Sequence, residues 1–204
     1  MRLGEVGNFS KGKGITKEQV TNKGIPCIRY GEIYTTDDYV ISAFRSFITP
    51  DTAMQSKSIQ HNDLLMAGSG ETIDEIGKSI AFRGNVEVYA GGDIIIFSPN
   101  ETTARADYLS YYLNTEGRRA LGRLGQGQSV VHLYSRDLND VRIPLPALEE
   151  QSAITSILSR AYTEISTLER KLASLKDQKH FLLTNLVIGT IRLPQFVQGT
   201  KETL

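Results

Sequence analysis

The chain reads as an α+β protein, in which a mainly β globular part carrying one helical region is followed by a single long helix. Three observations predict this. Short β-type runs punctuated by glycine fill the first 146 residues. Pro144 and Pro146 close that stretch. Mostly apolar residues then recur at alternating four- and three-residue spacing.

The β-type runs lie at residues 25–30, 79–82, 86–89 and 94–97, and predict a curved sheet as the core. Gly91-Gly92-Asp93 before the last run predicts a tight turn feeding a buried strand, since glycine tolerates positive φ cheaply. Tyr108, Leu109, Tyr112 and Leu113 predict a helix over 106–113, with a second helical turn over 116–124. Two prolines one residue apart fit neither a helix interior nor a central strand, so residues 1–146 form the first domain.

Beyond the prolines, Ile154, Leu158, Ala161, Ile165, Leu168, Leu172, Leu175, Leu182 and Leu186 make a coiled-coil seam, with Lys179 as the one charged residue in the series. A helix over 147–188 is about 60 Å long at 1.5 Å per residue. Pro146 suits its opening turn, Glu149 and Glu150 complement its dipole, and Gly189 supplies its stop. Residues 189–204 form the tail, which is polar and aperiodic after Pro194 and is expected to fray. A seam of this length requires a long partner helix.

Composition narrows the functional classes. With 204 residues the chain is long enough to bury a core without disulfides, and Cys27, its one cysteine, sits in the apolar run Ile25-Pro26-Cys27-Ile28 as a core residue. Met1-Arg2-Leu3-Gly4-Glu5 is no secretory signal and no stretch approaches the roughly 18 apolar residues of a membrane helix, so a cytoplasmic protein without membrane contact is expected. The 23 basic and 23 acidic residues cancel, which argues against indiscriminate coating of nucleic acid. Two segments are nevertheless locally basic. Between Gly117 and Arg136 stand Arg118, Arg119, Arg123, Arg136 and one histidine with no acid, and Lys11, Lys13 and Lys17 precede the first acid of their own segment, Glu18.

No catalytic or metal constellation emerges. Gly7-Asn8-Phe9-Ser10-Lys11-Gly12-Lys13-Gly14 nearly matches a phosphate-binding loop, but Gly14 stands where a magnesium-binding hydroxyl is needed. A basic glycine loop approaching a phosphate backbone is the better reading. Gly68-Ser69-Gly70 lacks the spacing of a nucleophile elbow and reads as a flexible turn. His61, His132 and His180 stand singly, without acids or cysteines at ligand spacing. Around Gly125 and Gly127, by contrast, Gln126, Gln128, Ser129 and Arg136 offer the donors and acceptors that read base edges, although a surface loop in a hairpin would look the same. Lys11, Lys13, Lys17, Arg118, Arg119 and Arg123 are the phosphate candidates. Arg29 and Tyr34 flank a second polar-aromatic loop, against which stands ordinary strand packing.

Together these residues resemble the specificity subunit of type I restriction-modification systems. Ile143-Pro144-Leu145-Pro146-Ala147-Leu148-Glu149-Glu150-Gln151, then Ile154, Ile157-Leu158 and Phe181-Leu182-Leu183-Thr184-Asn185-Leu186, are similar to that family's spacer helix. Leu3-Gly4-Glu5-Val6, Gly24-Ile25-Pro26-Cys27-Ile28-Arg29, Tyr89-Ala90-Gly91-Gly92 and residues 127–138 are similar to its target-recognition domain. The resemblance implies a non-catalytic subunit that binds double-stranded DNA and docks to modification (methyltransferase) subunits and to restriction subunits. S-adenosylmethionine and ATP are then expected only on those partners, with no cofactor on this chain. Family members usually carry two recognition domains and two antiparallel spacer helices, whereas this chain has one of each. It therefore looks like a half-length form that pairs with a second copy as a two-fold homodimer and reads a split, symmetric site. Half-sites about 34 Å apart, one DNA turn, would suit two such heads. Two alternatives stay open: a coiled-coil structural or inhibitory module without DNA specificity, and the recognition subunit of a related fused restriction-methylation enzyme.

Overall fold

Strands whose neighbouring residues are all apolar, rather than alternating with polar ones, are buried on both faces, and two such strands organise this chain. In the computed structural model, which describes residues 1–35, 38–70, 72, 76–127 and 131–194, Leu64–Ala67 and Ile94–Pro99 pair antiparallel at the centre of a four-stranded sheet. The elements in order are α1 (Leu3–Val6), β1 (Gly7–Lys11), a 3₁₀ turn (Lys17–Gln19), β2 (Ile25–Ile28), α2 (Tyr30–Thr35), β3 (Ser46–Ile48), α3 (Pro50–Gln55) and β4 (Lys57–Ile59). There follow β5 (Leu64–Ala67), β6 (Ser69–Gly70), β7 (Ser79–Ala81), β8 (Val88–Ala90), β9 (Ile94–Pro99), α4 (Ala106–Asn114), α5 (Arg118–Gly122), β10 (Val131–His132), α6 (Ser135–Leu138) and α7 (Leu148–Val187). The α+β class is as the sequence predicts.

Instead of one curved sheet, the strands form two four-stranded sheets, ordered β1-β9-β5-β7 and β3-β2-β8-β4, and a two-stranded ribbon of β6 and β10. The central strands divide their residues between two cores. Leu64, Met66, Ile95 and Phe97 join α1 and α4 in one cluster, while Leu65, Ala67, Ile94 and Ile96 meet Ile28, Val88 and Ala90 of the second sheet in another. Cys27 and Ile48 face a third, smaller cluster with Ile15 and Ala53 of α3. The layers are thus helices, first sheet, second sheet and a thin outer cover.

Four local readings are corrected. Gly7–Lys11 is a strand rather than a loop, because it pairs with β9 along its whole length and Phe9 packs on Phe97 with ring centroids 4.6 Å apart. The turn at Gly91-Gly92-Asp93 does not need positive φ, and neither glycine there has it. What the place requires is bare backbone, since a Cβ on Gly12 would lie 1.9 Å from the Gly91 carbonyl oxygen. That turn hands the chain from the second sheet to the first. Tyr30 opens α2 rather than ending a strand, and Ser69–Gly70 forms β6 rather than a free turn.

Cys27 is fully buried, and burial, reinforced by the nearby Glu32 carboxylate, pushes its thiol up to about 12. Only about one molecule in 10⁴ then carries a thiolate at pH 8. The native chain is therefore expected to resist maleimide, while the urea-unfolded chain takes one equivalent. Full labelling before unfolding would contradict the packing.

Residues Met1–Thr155 cluster as one unit and Ser156–Leu204 as another. Within the first, the Met1 ammonium and the Leu3 amide donate to the Ile143 and Val141 carbonyls, so the start of the chain is stitched to the segment just before the two prolines. The first turns of α7 also belong to this unit. Ile154 packs against the main core, and Gln151, 0 % exposed, accepts from the Arg105 amide at 3.0 Å and donates to the Thr103 and Pro146 carbonyls at 2.9 and 2.8 Å. In the second unit, Leu158, Ile165, Leu168, Leu172, Leu175, Leu182 and Leu186 are 39–58 % exposed, and Ala161 is exposed as well. The helix ends at Val187, and Gly189, at φ +76°, donates to the Leu186 carbonyl. Among the described residues no helix is long and apolar enough to cross a membrane.

Candidate nucleic-acid interface

Two clefts open side by side on the first unit, sharing Asp93 at their boundary. Their walls are set by the crossing of two glycine-bearing segments. Gly12 and Lys13 donate to the Ile94 and Ala90 carbonyls, and Gly92 donates back to Gly14, which has φ +67°. The next residue, Ile15, is buried at φ +60°, a conformation costly for a β-branched side chain and held by its place in the outer core.

The larger cleft, about 530 Å³, is lined by Lys17, Arg29, Tyr30 and Glu32 together with the glycine segments. Arg29 lies 3.7 Å from the Glu32 carboxylate, which also accepts from the Ser46 hydroxyl and the Arg29 amide. The Arg29 Nε is buried without a hydrogen-bond partner. Because Glu32 and Asp93 stand among the two cations, the cleft carries both signs of charge. Such a surface can offer a cation to a phosphate and mixed donors and acceptors to a base edge.

The smaller cleft, about 120 Å³, is lined by Lys11, Ser69, Asp93, His132, Tyr134 and Ser135. Lys11 faces Asp93 across 3.9 Å in an exposed pair that is worth little in water, so its charge stays available. Ser69 and His132 lie opposite each other on the ribbon, where Ser69 Oγ and His132 Nδ1 share a hydrogen bond of 3.1 Å. The Arg136 guanidinium sits 5.2 Å over the Tyr134 ring, a cation–π arrangement. The Tyr34 hydroxyl donates to the Ser69 carbonyl at 2.7 Å, bracing the ribbon from α2.

The structure therefore brings Lys11, Lys17, Arg29 and Tyr34 to these clefts or their supports, with Arg136 beside Tyr134. Lys13 is exposed between the glycines. Gln126 pairs through its backbone with His132, and its side-chain amide donates to Asp137, which also lies 3.5 Å from Arg136. Arg118, Arg119 and Arg123 belong to α5 or its end and line neither cleft. Gln128 and Ser129 lie outside the described residues. No cluster of three or more potential metal ligands occurs among the described residues.

The sequence profile described as the type I restriction modification DNA specificity domain matches residues 1–177. The chain belongs to that specificity-domain family. A Haemophilus influenzae protein named as a type I restriction enzyme specificity subunit, S.HindORF215P, is 27 % identical over 164 residues, which are 80 % of this chain and 40 % of its own. Among solved structures, the fold is similar to a chain from a type I R-M system studied for its complex assembly and conformational transition, with TM-score 0.64, 22 % identity and coverage of 89 % of this chain and 42 % of that one. It is also similar to the HsdS subunit of Thermoanaerobacter tengcongensis, with TM-score 0.59, 21 % identity and coverage of 91 % and 43 %. This specificity-family chain thus spans about two fifths of the length of the curated relative it matches.

Several cleft residues of this family member escape sequence reasoning, among them Glu32, Asp93, Ser69, His132 and Tyr134. For the last two a signal exists. Val131 and Leu133 are buried while His132 and Tyr134 are exposed, a period-two alternation visible in the run Val131-His132-Leu133-Tyr134. The partner of that run, Ser69, is 63 residues away and leaves no local mark.

Proposed function

We propose that the chain is a non-catalytic, sequence-specific DNA-recognition subunit of a type I restriction-modification system. It works as a homodimer through α7 and delivers modification subunits to a split, symmetric site. The observation that carries the reading is the pair of adjoining clefts, which gather Lys11, Lys17 and Arg29 with polar and aromatic side chains, and have Arg136 beside them over Tyr134, on a chain of the specificity-domain family. Such a surface supplies phosphate contacts for register and base contacts for sequence.

The pairing with a second copy is supported by the exposed seam of α7 and by its charges. Residues 148–167 hold three acids and one base, whereas residues 168–187 hold four bases and two acids. Antiparallel copies would set the acidic half of one helix against the basic half of the other. Methyl transfer and any cleavage would reside in the partner subunits.

The test is selection from a pool of randomised duplexes by the full chain with modification subunits present. A split palindromic motif is expected, and failure to enrich any motif would favour a coiled-coil module without DNA specificity. A sharper expectation concerns the phosphate candidates. Lys17→Ala should weaken all duplexes alike by a few-fold and flatten the slope of log affinity against log salt by about one unit, read by fluorescence anisotropy. A change confined to one base position would show that Lys17 reads sequence instead.

A further inference from the structure

We infer that the β6–β10 ribbon is the element that enters the major groove, and that His132 reads a guanine edge there while Ser69 holds its ring in place. The inference deepens the DNA-recognition reading and rests on it. A two-stranded ribbon is one of the two elements a major groove admits. This one is separate from both four-stranded sheets, so it can be presented without burying sheet edges. It is also rigidly held. The His132 backbone pairs in both directions with Gln126, Leu133 donates to the Gly68 carbonyl, and Tyr34 braces Ser69 from the side.

Its outward side chains suit a base rather than a core. His132 is exposed, Tyr134 just beyond the strand is 44 % exposed, and buried Val131 and Leu133 anchor the same segment in the main core. Lys11 and Arg136 flank the pair with positive charge, balanced by Asp93 and Asp137. When the Ser69 hydroxyl donates to Nδ1, the neutral imidazole carries its proton on Nε2, its remaining donor. Guanine offers N7 and O6 as acceptors in the major groove, and an Nε2–H meets that need.

The experiment compares the wild-type chain with His132→Ala, His132→Gln and Ser69→Ala, each full length with modification subunits, in selection from randomised duplexes followed by anisotropy on the winning duplex. His132→Ala should abolish a guanine preference at one position of each half-site and lower affinity for that duplex by roughly tenfold or more. Binding to an unrelated duplex should not change. His132→Gln should move the preference at that position to adenine, whose N6 and N7 match a side-chain amide, and Ser69→Ala should weaken the same position less than His132→Ala. Because the His132 backbone contacts survive all three changes, unfolding midpoints should stay at the wild-type value. An unchanged motif in His132→Ala, retained guanine preference in His132→Gln, or an equal loss on every duplex overturns the inference and leaves DNA recognition standing. If the wild-type chain itself enriches nothing, both fall together.

Discussion

If the chain pairs through α7 as proposed, replacing Leu172 with aspartate is expected to leave monomers whose first unit, Met1–Thr155, stays folded. Leu172 lies in the middle of the seam, is 52 % exposed on the isolated chain, and has Leu168 and Leu175 as seam neighbours one turn away on either side. Pairing would bury its side chain, a gain of about 2 kcal/mol per copy. An aspartate there would have to leave water without a partner, which costs several kcal/mol more unless it protonates. Two-fold symmetry counts the change twice, so the dissociation constant should rise by at least roughly a thousandfold, about 4 kcal/mol. Sedimentation velocity at micromolar concentration reads this directly, and Ile165→Asp should do the same. A variant that sediments as the wild type does would remove α7 as the pairing surface.

The second large effect is expected at Gln151. Its side chain, itself without solvent access, satisfies the Arg105 amide and the Thr103 and Pro146 carbonyls. Gln151→Ala leaves three part-buried backbone groups without this partner, and at about 1 kcal/mol for each, the low end because water reaches them in part, a net loss of about 3 kcal/mol is expected. For a unit of this size that lowers the unfolding midpoint by roughly 6–12 °C. Gln151→Glu should be worse still, since it would aim a carboxylate at two carbonyl oxygens. A midpoint within a degree of the wild type would mean that the first turns of α7 contribute nothing to the stability of residues Met1–Thr155.

The helix was the most legible part of the chain because a heptad is a local pattern and needs no knowledge of its surroundings. The run Ile94-Ile95-Ile96-Phe97 was legible for a related reason, as continuous β-branched and aromatic residues suit a strand covered on both faces. Its neighbour β5 was missed. Leu64, Leu65, Met66 and Ala67 are better helix formers than strand formers, and only pairing with β7 and β9 makes them a strand. The edge strand β1 was hidden differently, because Gly7, Asn8 and Ser10 are strand-poor residues held extended by β9. Charge and loop chemistry pointed to Lys11, Lys17 and Arg29 in the clefts and to Arg136 beside them. Of the acids that share the space, Glu32 stands three residues after Arg29 and could be read locally, whereas Asp93 comes from a turn remote in sequence, so its balancing effect on Lys11 could not.

The chemical silence of Cys27 turns the native sequence into a ready scaffold for spectroscopy. Any cysteine placed on the outside of α7, at Ser174 for instance, would be the sole reactive thiol of the folded chain. A nitroxide attached there would meet its twin in an assembled pair. Electron–electron distances could then map subunit arrangement in solution without first stripping the protein of a natural residue.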